Sequence, residues 1–470
     1  MSTNRLKTIS AIAMSKECVI ILAAILIGLA LARFIIISPY GGIVALSSGI
    51  VIALTVLLRK MDYLIIGWFI LTSLMWLIIL RLFPAHYYPF VGRGIFWGLL
   101  ACIIAAWAID NIIEKRQFTR FDNVQLSAII VVFILWGIMS LATSLDVLFS
   151  ARKLLHIVVA LVASYMFYDF FSQDVNNIRK VLATISLVIL VLSIITIAVA
   201  IWSIIAAIPI YKEIQLWFLN PNMLGTLLFV CSPLLITSGF DFKPIRRLKP
   251  FFVCLVLLAL FFSFHRTSWI AILVSIIYLL WRGRAKLLLA TVIIMSLFAG
   301  GLTFPLWKTD VYQRISGEQF SGRREIWQAA WNTALDHPVL GTGLGNSPDS
   351  IAKYIETSWL KNQYCHSAYL QNAVEMGFAA TAMLLAFYIT FLYFCRKIER
   401  NLRSDYLSSV VRGTIATFLG LLVHSIFGEF GILTSFDASA FDVLFPYVMI
   451  ALPFAAKRLE ERQEELRAEV

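Results

Sequence analysis

The sequence predicts an all-α polytopic membrane protein with about 12–14 transmembrane helices. Three observations lead to this fold class. The composition is 60% hydrophobic and only 14% charged, with a mean hydropathy of +0.85, whereas ordinary globular chains carry about 25% charged residues. Long apolar runs recur along the 470 residues, and about 20 apolar residues cross a hydrocarbon core of about 30 Å. Lysine and arginine concentrate in the short connections between these runs.

The apolar runs define about fourteen candidate spans. In chain order they are 18–37, 41–58, 62–80, 94–110, 124–142, 154–171, 181–208, 222–239, 250–265, 268–281, 287–305, 368–395, 405–428 and 438–456. We expect the first to be a retained span because no small-residue cleavage site follows it. The whole chain, 1–470, is predicted to form one integral membrane domain.

The distribution of basic residues predicts the topology. Every second connection is basic, which indicates that the N-terminus and the C-terminus are both cytoplasmic. The longest polar segment, 306–367, then lies on the extracytoplasmic side. The charged C-terminal tail, 457–470, lies in the cytoplasm, where we interpret it as a solvated helix.

Charge and cysteine content exclude several classes of function. The net charge of +12 does not predict nucleic-acid binding, because the basic residues lie in loops that fix topology. Most of the cysteines lie in or beside apolar runs and Cys365 stands alone in the polar segment, so no metal cluster or disulfide framework is expected. We predict no metal and no cofactor. Arginine and histidine are the residues left to carry chemistry.

Arg266 is the least expected residue for its surroundings. It follows His265 in a tight hairpin, FHRTSW from Phe264, between two apolar spans. A guanidinium there is costly unless it meets water, a partner or an anionic ligand. Snorkelling to the interface is one interpretation. Recognition of a phosphate by the planar guanidinium is the other.

The polar segment contains a second pair of arginines. Arg323 and Arg324 open an amphipathic stretch, EIWQAAWNTALD, in which Trp327 and Trp331 are predicted to rest at the lipid interface. The helix dipole opposes an arginine at a helix start. This placement favours an anion contact, with a solvated charge pair as the alternative.

A glycine run follows, GTGLGN from Gly341, which includes Gly343 and Gly345. It is not a dinucleotide-binding fingerprint, because no strand precedes it. We predict a turn in which the backbone approaches a ligand.

His366 is the best candidate for a general base. It ends the polar segment where the chain re-enters the membrane, and histidine is the side chain suited to proton transfer near neutral pH. A polar helix cap is the alternative. His424 lies near the outer end of its span, five residues before Glu429, and is interpreted as a supporting group or a buried hydrogen-bonding residue.

Four pieces of the sequence, in this order, resemble the O-antigen ligase and polymerase superfamily of bacterial envelope proteins. They are NPNMLGTLL from Asn220, HRTSWIAIL from His265, SGRREIWQAAWNTALDHPVLGTGLGN from Ser321, and HSAYLQNAVEMGFAA from His366. The resemblance covers roughly residues 220–380. The first half of the chain is similar only in being a run of spans.

The resemblance implies a metal-independent glycan transferase of the bacterial inner membrane. Such proteins move an undecaprenyl-diphosphate-linked oligo- or polysaccharide to an acceptor hydroxyl at the outer face, with membrane lipids around them and no nucleic acid. Arg266 and Arg323 would hold the diphosphate, and His366 would act as the base or orient the hydroxyl. The other residues predicted to bind substrate are Asn220, Asn222, His265, Arg324, Trp327, Gly343 and Gly345.

The acceptor stays open at this stage. A ligase uses a sugar of the lipid A core and a polymerase uses another glycan repeat, and both share these motifs. We favour the ligase, with the polymerase as the alternative and a solute transporter of the bicarbonate type as the less favoured one. A transporter should carry polar residues near mid-membrane, whereas here most lie at outer helix ends. The chain departs from the family in having Ser367 in place of Asn and His265 in place of Ser.

Overall fold

The computed structural model describes residues 61, 64–70, 100, 103–108, 110–111, 119–206, 208, 210–218, 221–239, 246–282, 319–428, 431–434 and 440–468. The chain divides into two units, 1–119 and 120–470. In the first unit the described residues other than Thr119 are helical, and Ile65, Trp68 and Phe69 are buried. The predicted spans 18–37, 41–58 and 287–305, with much of 62–80 and 94–110, lie outside the described residues.

All the regular secondary structure of the second unit is helical, and no strand occurs in its described part. Its helices are α1 (Val124–Ser140), α2 (Val147–Phe171), α3 (Val175–Ile205), α4 (Ile210–Phe218), α5 (Pro221–Thr237), α6 (Lys249–Phe262), α7 (Arg266–Trp281), α8 (Gln319–Asp336), α9 (Ser347–Ile351), α10 (Ala368–Asn401), α11 (Asp405–Phe427) and α12 (Ala440–Ala468). Short 3-10 turns lie at Leu141–Thr143, Arg246–Leu248, Ala352–Tyr354 and Ser358–Leu360.

Five of these helices are long and apolar enough to cross a membrane: α1 with its following turn, α2, α3, α10 and α11. A sixth candidate span is bent by 75° between Lys212–Phe218 and Pro221–Thr237. Helices α6 and α7 are shorter and apolar. The predicted all-α polytopic membrane fold is confirmed, and the expected hairpin at 264–269 is the α6–α7 connection.

Short polar side chains set several helix starts. The Asn123 side chain accepts a hydrogen bond from the Leu126 amide at 3.0 Å at the start of α1. Asp146 caps α2 by accepting from the Phe149 amide at 2.9 Å. Each cap satisfies an amide that has no acceptor within its own helix, and its loss typically costs about 0.5–2 kcal/mol.

Helix α11 lies at the centre of the second unit, where it packs against α5, α7, α10 and α12. Ser275 of α7 donates to the Ala416 carbonyl at 2.7 Å, and Thr417 donates to the Val230 carbonyl of α5 at 3.2 Å. Gly420 permits the close approach, since a Cβ there would lie 2.6 Å from the Phe229 ring. These contacts hold the starts of α5 and α7 beside the end of α11, which we call the site end of the unit.

The charged tail continues α12 without interruption through Ala468. It also contacts other elements. Arg403, in the α10–α11 connection, pairs with Glu464 at 3.1 Å, and Arg462 donates to the Ser172 carbonyl at the end of α2 at 3.1 Å. The interpretation of a merely solvated tail is therefore incomplete, because these contacts dock it on the bundle.

Candidate functional site

The predicted amphipathic helix of the polar segment is α8. Its buried stripe, Ile326, Ala329, Ala330 and Ala334, follows the helical period and faces a small apolar core. That core also contains Ile351, Ile355, Leu360, Cys365, Ala373 and Val374. Because residues from α8, the following loop and the start of α10 share it, the polar segment from 322 to 374 is a folded structure with its own packing.

A carboxylate fastens α8 to the loop that follows it. Glu325 accepts hydrogen bonds from the Thr357 amide at 2.9 Å, the Thr357 hydroxyl at 2.8 Å and the Glu356 amide at 2.8 Å. The Thr357 bonds, first through its amide, lower the pKa of Glu325 below its usual value because they favour the ionised carboxylate. This contact fixes the face of α8 that carries Arg323.

Arg323 is half-buried and Arg324 is exposed. Helix α8 already includes Gln319, so Arg323 lies in its second turn. The expectation that Arg323 stands at the helix start was wrong, and the dipole argument does not apply to it because the dipole acts within the first turn. What distinguishes Arg323 from Arg324 is its partial burial on the side of α8 that faces the protein.

Trp327, one turn after Arg323, is half-buried and contacts protein, while its expected place at the lipid interface stays a prediction. Its indole donates to the Cys365 carbonyl at 3.0 Å, and its ring lies 6.1 Å from that of Phe427 at the end of α11. Trp331 is 49% exposed. Trp327 therefore joins α8 to the residue that precedes His366 and to the site end of α11.

His366 occupies an unusual backbone conformation. Its φ is 51°, in the left-handed region that non-glycine residues rarely adopt. The adjacent Ser367 is the N-cap of α10, accepting from the Leu370 amide at 3.5 Å. The cap interpretation therefore belongs to Ser367 and not to His366. Serine and asparagine cap about equally well, so this departure from the family preserves a capping residue.

The start of α10 is tied directly to the end of α11. The Ala368 amide donates to the Gly428 carbonyl at 2.9 Å. Gly428 in turn packs against the imidazole of His424, since a Cβ there would lie 2.8 Å from the His424 Cε1 atom. The segment that carries His366 is thus connected to His424 through the Ala368–Gly428 hydrogen bond and the packing of Gly428 on the imidazole.

Arg266 is the first residue of α7 and is half-buried. His265 is the N-cap residue, and its Nδ1 lies 2.7 Å from the Ser268 hydroxyl. The preceding Phe264 has a φ of 55°, a second left-handed non-glycine residue at the site end. The structure confirms the tight hairpin and places Arg266 in the first turn of α7, where the amides of a helix start also attract anions.

Two further residues were not among the predicted substrate contacts. The Thr226 hydroxyl lies 3.5 Å from Nδ1 of His265 and 3.4 Å from Nε2 of His424, so it bridges the two imidazoles. The histidine rings are 5.4 Å apart, edge to face. Gly225 allows this approach, because a Cβ there would lie 2.5 Å from the His265 Cβ. Thr226 follows the NPN motif within one helical turn, and that spacing is the signal that could have identified it.

His265, in the Arg266 hairpin, is affected by burial and by nearby positive charges. The pKa of His265, which lies in the connection between α6 and α7, is held well below its usual value. Desolvation by burial is the main cause, followed by the positive potential of His424 and then of Arg323. Geometry links the same elements: Trp327, one turn after Arg323, lies 6.1 Å from the Phe427 ring, and the His265 ring lies 5.4 Å from His424, so α8 and the Arg266 hairpin both contact the end of α11.

The other predicted substrate residues lie in less direct positions. Asn222 is exposed in the first turn of α5, and Asn220 lies outside the described residues. Gly343 and Gly345 have φ angles of 92° and 82°, which confirms a turn. The Gly343 amide donates to the Glu375 carbonyl at 2.9 Å, and Gly345 packs on Phe149. The positive φ angles and the close packing explain why glycine occupies both positions, while contact of these residues with substrate stays a prediction.

The structure is that of a polytopic membrane protein in which His265, beside Arg266, meets His424 and Thr226 at the end of α11. The segments that carry Arg323 and His366 contact the same helix end. Among the described residues, no group of three or more His, Cys, Asp or Glu side chains is arranged to hold a metal ion. Such a site suits an anionic ligand that approaches along the membrane surface.

Residues 251–385 match the family model described as O-antigen ligase. The match includes both arginines and His366, and it confirms the resemblance to the O-antigen ligase and polymerase superfamily. It supports a function of the O-antigen ligase or polymerase type in general. Thr226 and His424 lie outside the matched residues. No curated protein matched this chain.

Proposed function

We propose that this protein transfers a glycan from a polyprenyl diphosphate, undecaprenyl diphosphate in a bacterium, to an acceptor hydroxyl. The observation that carries the proposal is that Arg266 and Arg323, which come from separate elements, belong to segments that meet at the end of α11. His265, next to Arg266, lies against His424, and Trp327, one turn after Arg323, lies against Phe427. A diphosphate carries several negative charges, and two guanidiniums from different elements can contact both of its phosphates. The start of α7 adds the positive end of its dipole.

In the proposed reaction the acceptor oxygen attacks the anomeric carbon of the lipid-linked sugar. The new carbon–oxygen bond forms as the bond from that carbon to the diphosphate breaks, and its electron pair leaves with the diphosphate. Negative charge therefore develops on the leaving group, where Arg266 and Arg323 would stabilise it. The acceptor hydroxyl loses its proton to His366.

The conformation of His366 supports its role as base. Strained backbone at a non-glycine residue persists only where the surrounding structure imposes it, and such residues cluster at active sites. Here the constraint comes from neighbouring contacts on both sides of His366, Trp327 to Cys365 and Ala368 to Gly428. These contacts fix the backbone on both sides of residue 366, between α8 and the end of α11.

We further propose that the transfer is of the ligase kind, to a sugar of the lipid A core. The polymerase, with a glycan repeat as acceptor, is the second candidate, because the same donor chemistry serves both. The polar segment 306–367 would face the periplasm from the bacterial inner membrane, with both termini and the tail 457–470 in the cytoplasm. Metal independence and the remaining substrate contacts, Asn220, Asn222, His265, Arg324, Trp327, Gly343 and Gly345, belong to the same proposal.

The proposal is tested by single substitutions Arg266→Gln, Arg323→Gln and His366→Ala in purified protein. The assay supplies a polyprenyl-diphosphate-linked glycan and, in parallel reactions, a lipid A core acceptor or a second glycan repeat. Loss of one charged hydrogen-bond donor to the diphosphate should slow transfer about 10- to 150-fold, from about 1.5–3 kcal/mol. Loss of the base should slow it about 10²- to 10⁴-fold.

Two control variants match these changes in the same segment. Lys361→Gln removes an exposed positive charge, and His337→Gln removes an exposed imidazole. Both should transfer glycan at the wild-type rate. Wild-type transfer by all three site variants would refute the assignment of these residues. Solute flux through proteoliposomes without any lipid-linked donor would favour a transporter instead.

A further inference from the structure

Three arginines from three helices surround one buried carboxylate at the end of the second unit opposite the candidate site. The Glu399 side chain of α10 is 1% exposed. It pairs with Arg412 of α11 at 2.8 Å, with Arg282 at the end of α7 at 3.2 Å, and with Arg396 one turn earlier on α10. We call these four residues the arginine cluster.

The arginine cluster lies far from Arg266. Arg282 caps the C-terminal end of α7, whose 16 residues begin at Arg266, so the two are separated by about 24 Å along the helix. The positions along α11 support this separation, because Arg412 of the cluster lies in the first half of the helix and His424 of the candidate site lies in its last turn. The cluster therefore lies near the opposite membrane surface, which the predicted topology makes the cytoplasmic leaflet.

Glu399 does not neutralise the charge around it. One carboxylate faces three guanidiniums, so the cluster keeps an excess of two positive charges. Within the described part of the chain, no second carboxylate pairs with these arginines. Holding like charges together at a membrane surface is costly unless an anion joins them.

The guanidiniums also retain hydrogen-bond donors. Three arginines offer about fifteen N–H donors, and the Glu399 carboxylate accepts only some of them. Nε of Arg282 is buried and has no acceptor in the described structure. The side chains of Arg282, Arg396 and Arg412 are 30%, 25% and 19% exposed, so a ligand at the membrane surface can reach them.

We propose that the arginine cluster is a phosphate-binding site, occupied by the headgroup of an anionic phospholipid such as phosphatidylglycerol. Arginine forks match the geometry of phosphate oxygens, and basic pockets between helices at the cytoplasmic side of a membrane bind anionic lipid headgroups. Glu399 fixes the guanidiniums in place before the ligand arrives. The bound phosphate would clamp α7, α10 and α11 together at the end remote from the candidate site. This inference does not depend on the proposed glycan transfer.

The test follows thermal unfolding of the full-length protein in detergent as lipid is added. Phosphatidylglycerol should raise the unfolding temperature of the wild type above that in phosphatidylcholine. In Arg396→Gln, the apparent affinity for phosphatidylglycerol should fall about tenfold. The control Arg403→Gln removes a positive charge from the following connection, where Arg403 is 71% exposed and pairs with Glu464. It should respond as the wild type does.

A second arm replaces lipid by inorganic phosphate. If only phosphatidylglycerol raises the unfolding temperature, the ligand is the lipid. If inorganic phosphate raises it equally, and only when Arg396 is present, the phosphate site is supported but its ligand is soluble and the lipid is rejected. No stabilisation by either probe, or equal responses of Arg396→Gln and the wild type, would overturn the proposal. If Arg396→Gln does not fold, the wild-type protein is instead crosslinked with a photoreactive phosphatidylglycerol. Crosslinks should map to peptides around 396–412, and crosslinks found only elsewhere would reject the site.

Discussion

The left-handed backbone of His366 allows the chemical role of its imidazole to be separated from its structural role. The perturbation is a pair of variants, His366→Gly and His366→Ala, which both remove the imidazole. At a φ of 51°, alanine keeps a left-handed strain of about 1–2 kcal/mol that glycine avoids. Glycine loses about 0.5–1 kcal/mol more backbone entropy on folding. The glycine variant should therefore be more stable than the alanine variant by about 0.5–1 kcal/mol.

The assay measures the free energy of unfolding by denaturant titration beside glycan transfer from the lipid-linked donor. We expect transfer to be equally impaired in both variants, because neither can accept the proton. Matched substitutions at the exposed His337, Gly and Ala, should show the opposite order of stability, since His337 has no left-handed φ. An alanine variant as stable as the glycine variant would refute the backbone argument. Glycan transfer restored by glycine would refute the base assignment.

Three further predictions concern the rest of the second unit. His265→Gln should flatten the dependence of stability on pH. Because the pKa of His265 is lowered in the folded state, the contribution of its neutral imidazole to the unfolding free energy is complete above about pH 6.5 and is lost as the pH falls towards the folded-state pKa. Between pH 7.5 and 5.5 the wild type should therefore lose more stability than His265→Gln. Glu399→Gln should cost about 3–5 kcal/mol of unfolding free energy, because it leaves three half-buried arginines without the buried carboxylate that pairs with them. Gly377→Ala should destabilise by about 1–3 kcal/mol, because φ is 80° and the new Cβ would lie 2.1 Å from the Val339 carbonyl oxygen.

Each of these has its own check. Denaturant titrations at several pH values measure how the unfolding free energy depends on pH. The same pH dependence in wild type and His265→Gln would contradict a lowered pKa of His265. Arg403→Gln, at an exposed ion pair, should cost about 0–1 kcal/mol and calibrates the Glu399 result. Wild-type stability of Gly377→Ala would show that the backbone at residue 377 adjusts to accept a Cβ atom.

The membrane class and the positions of many helices followed from the sequence. Apolar runs of spanning length are a local property, and the short polar caps such as Asn123 and Asp146 are local as well. The Arg266 hairpin was also predictable, because a guanidinium between two apolar runs stands out against its neighbours. The same local argument failed for Arg323, where the helix begins earlier than the charge pattern indicates.

Contacts between distant parts of the chain required the tertiary structure. Thr226 and His424 are separated by 198 residues and meet at 3.4 Å because α5 and α11 pack side by side. Trp327 donates a hydrogen bond to the Cys365 carbonyl, 38 residues away in the chain. Residue type and spacing carry no information on which helix becomes the neighbour, so neither contact could be read from composition or period.

Sequence alone therefore determined that this is a helical membrane protein with arginine and histidine at its helix ends. Hydrophobicity and charge act residue by residue along the chain, and the membrane converts them directly into spans and loops. Only the tertiary structure decided which of these charges share a site. It brought the helix of Arg323 and the Arg266 hairpin to the same end of α11. It also brought three other arginines around Glu399, because helix packing sets the distances on which electrostatic interactions depend.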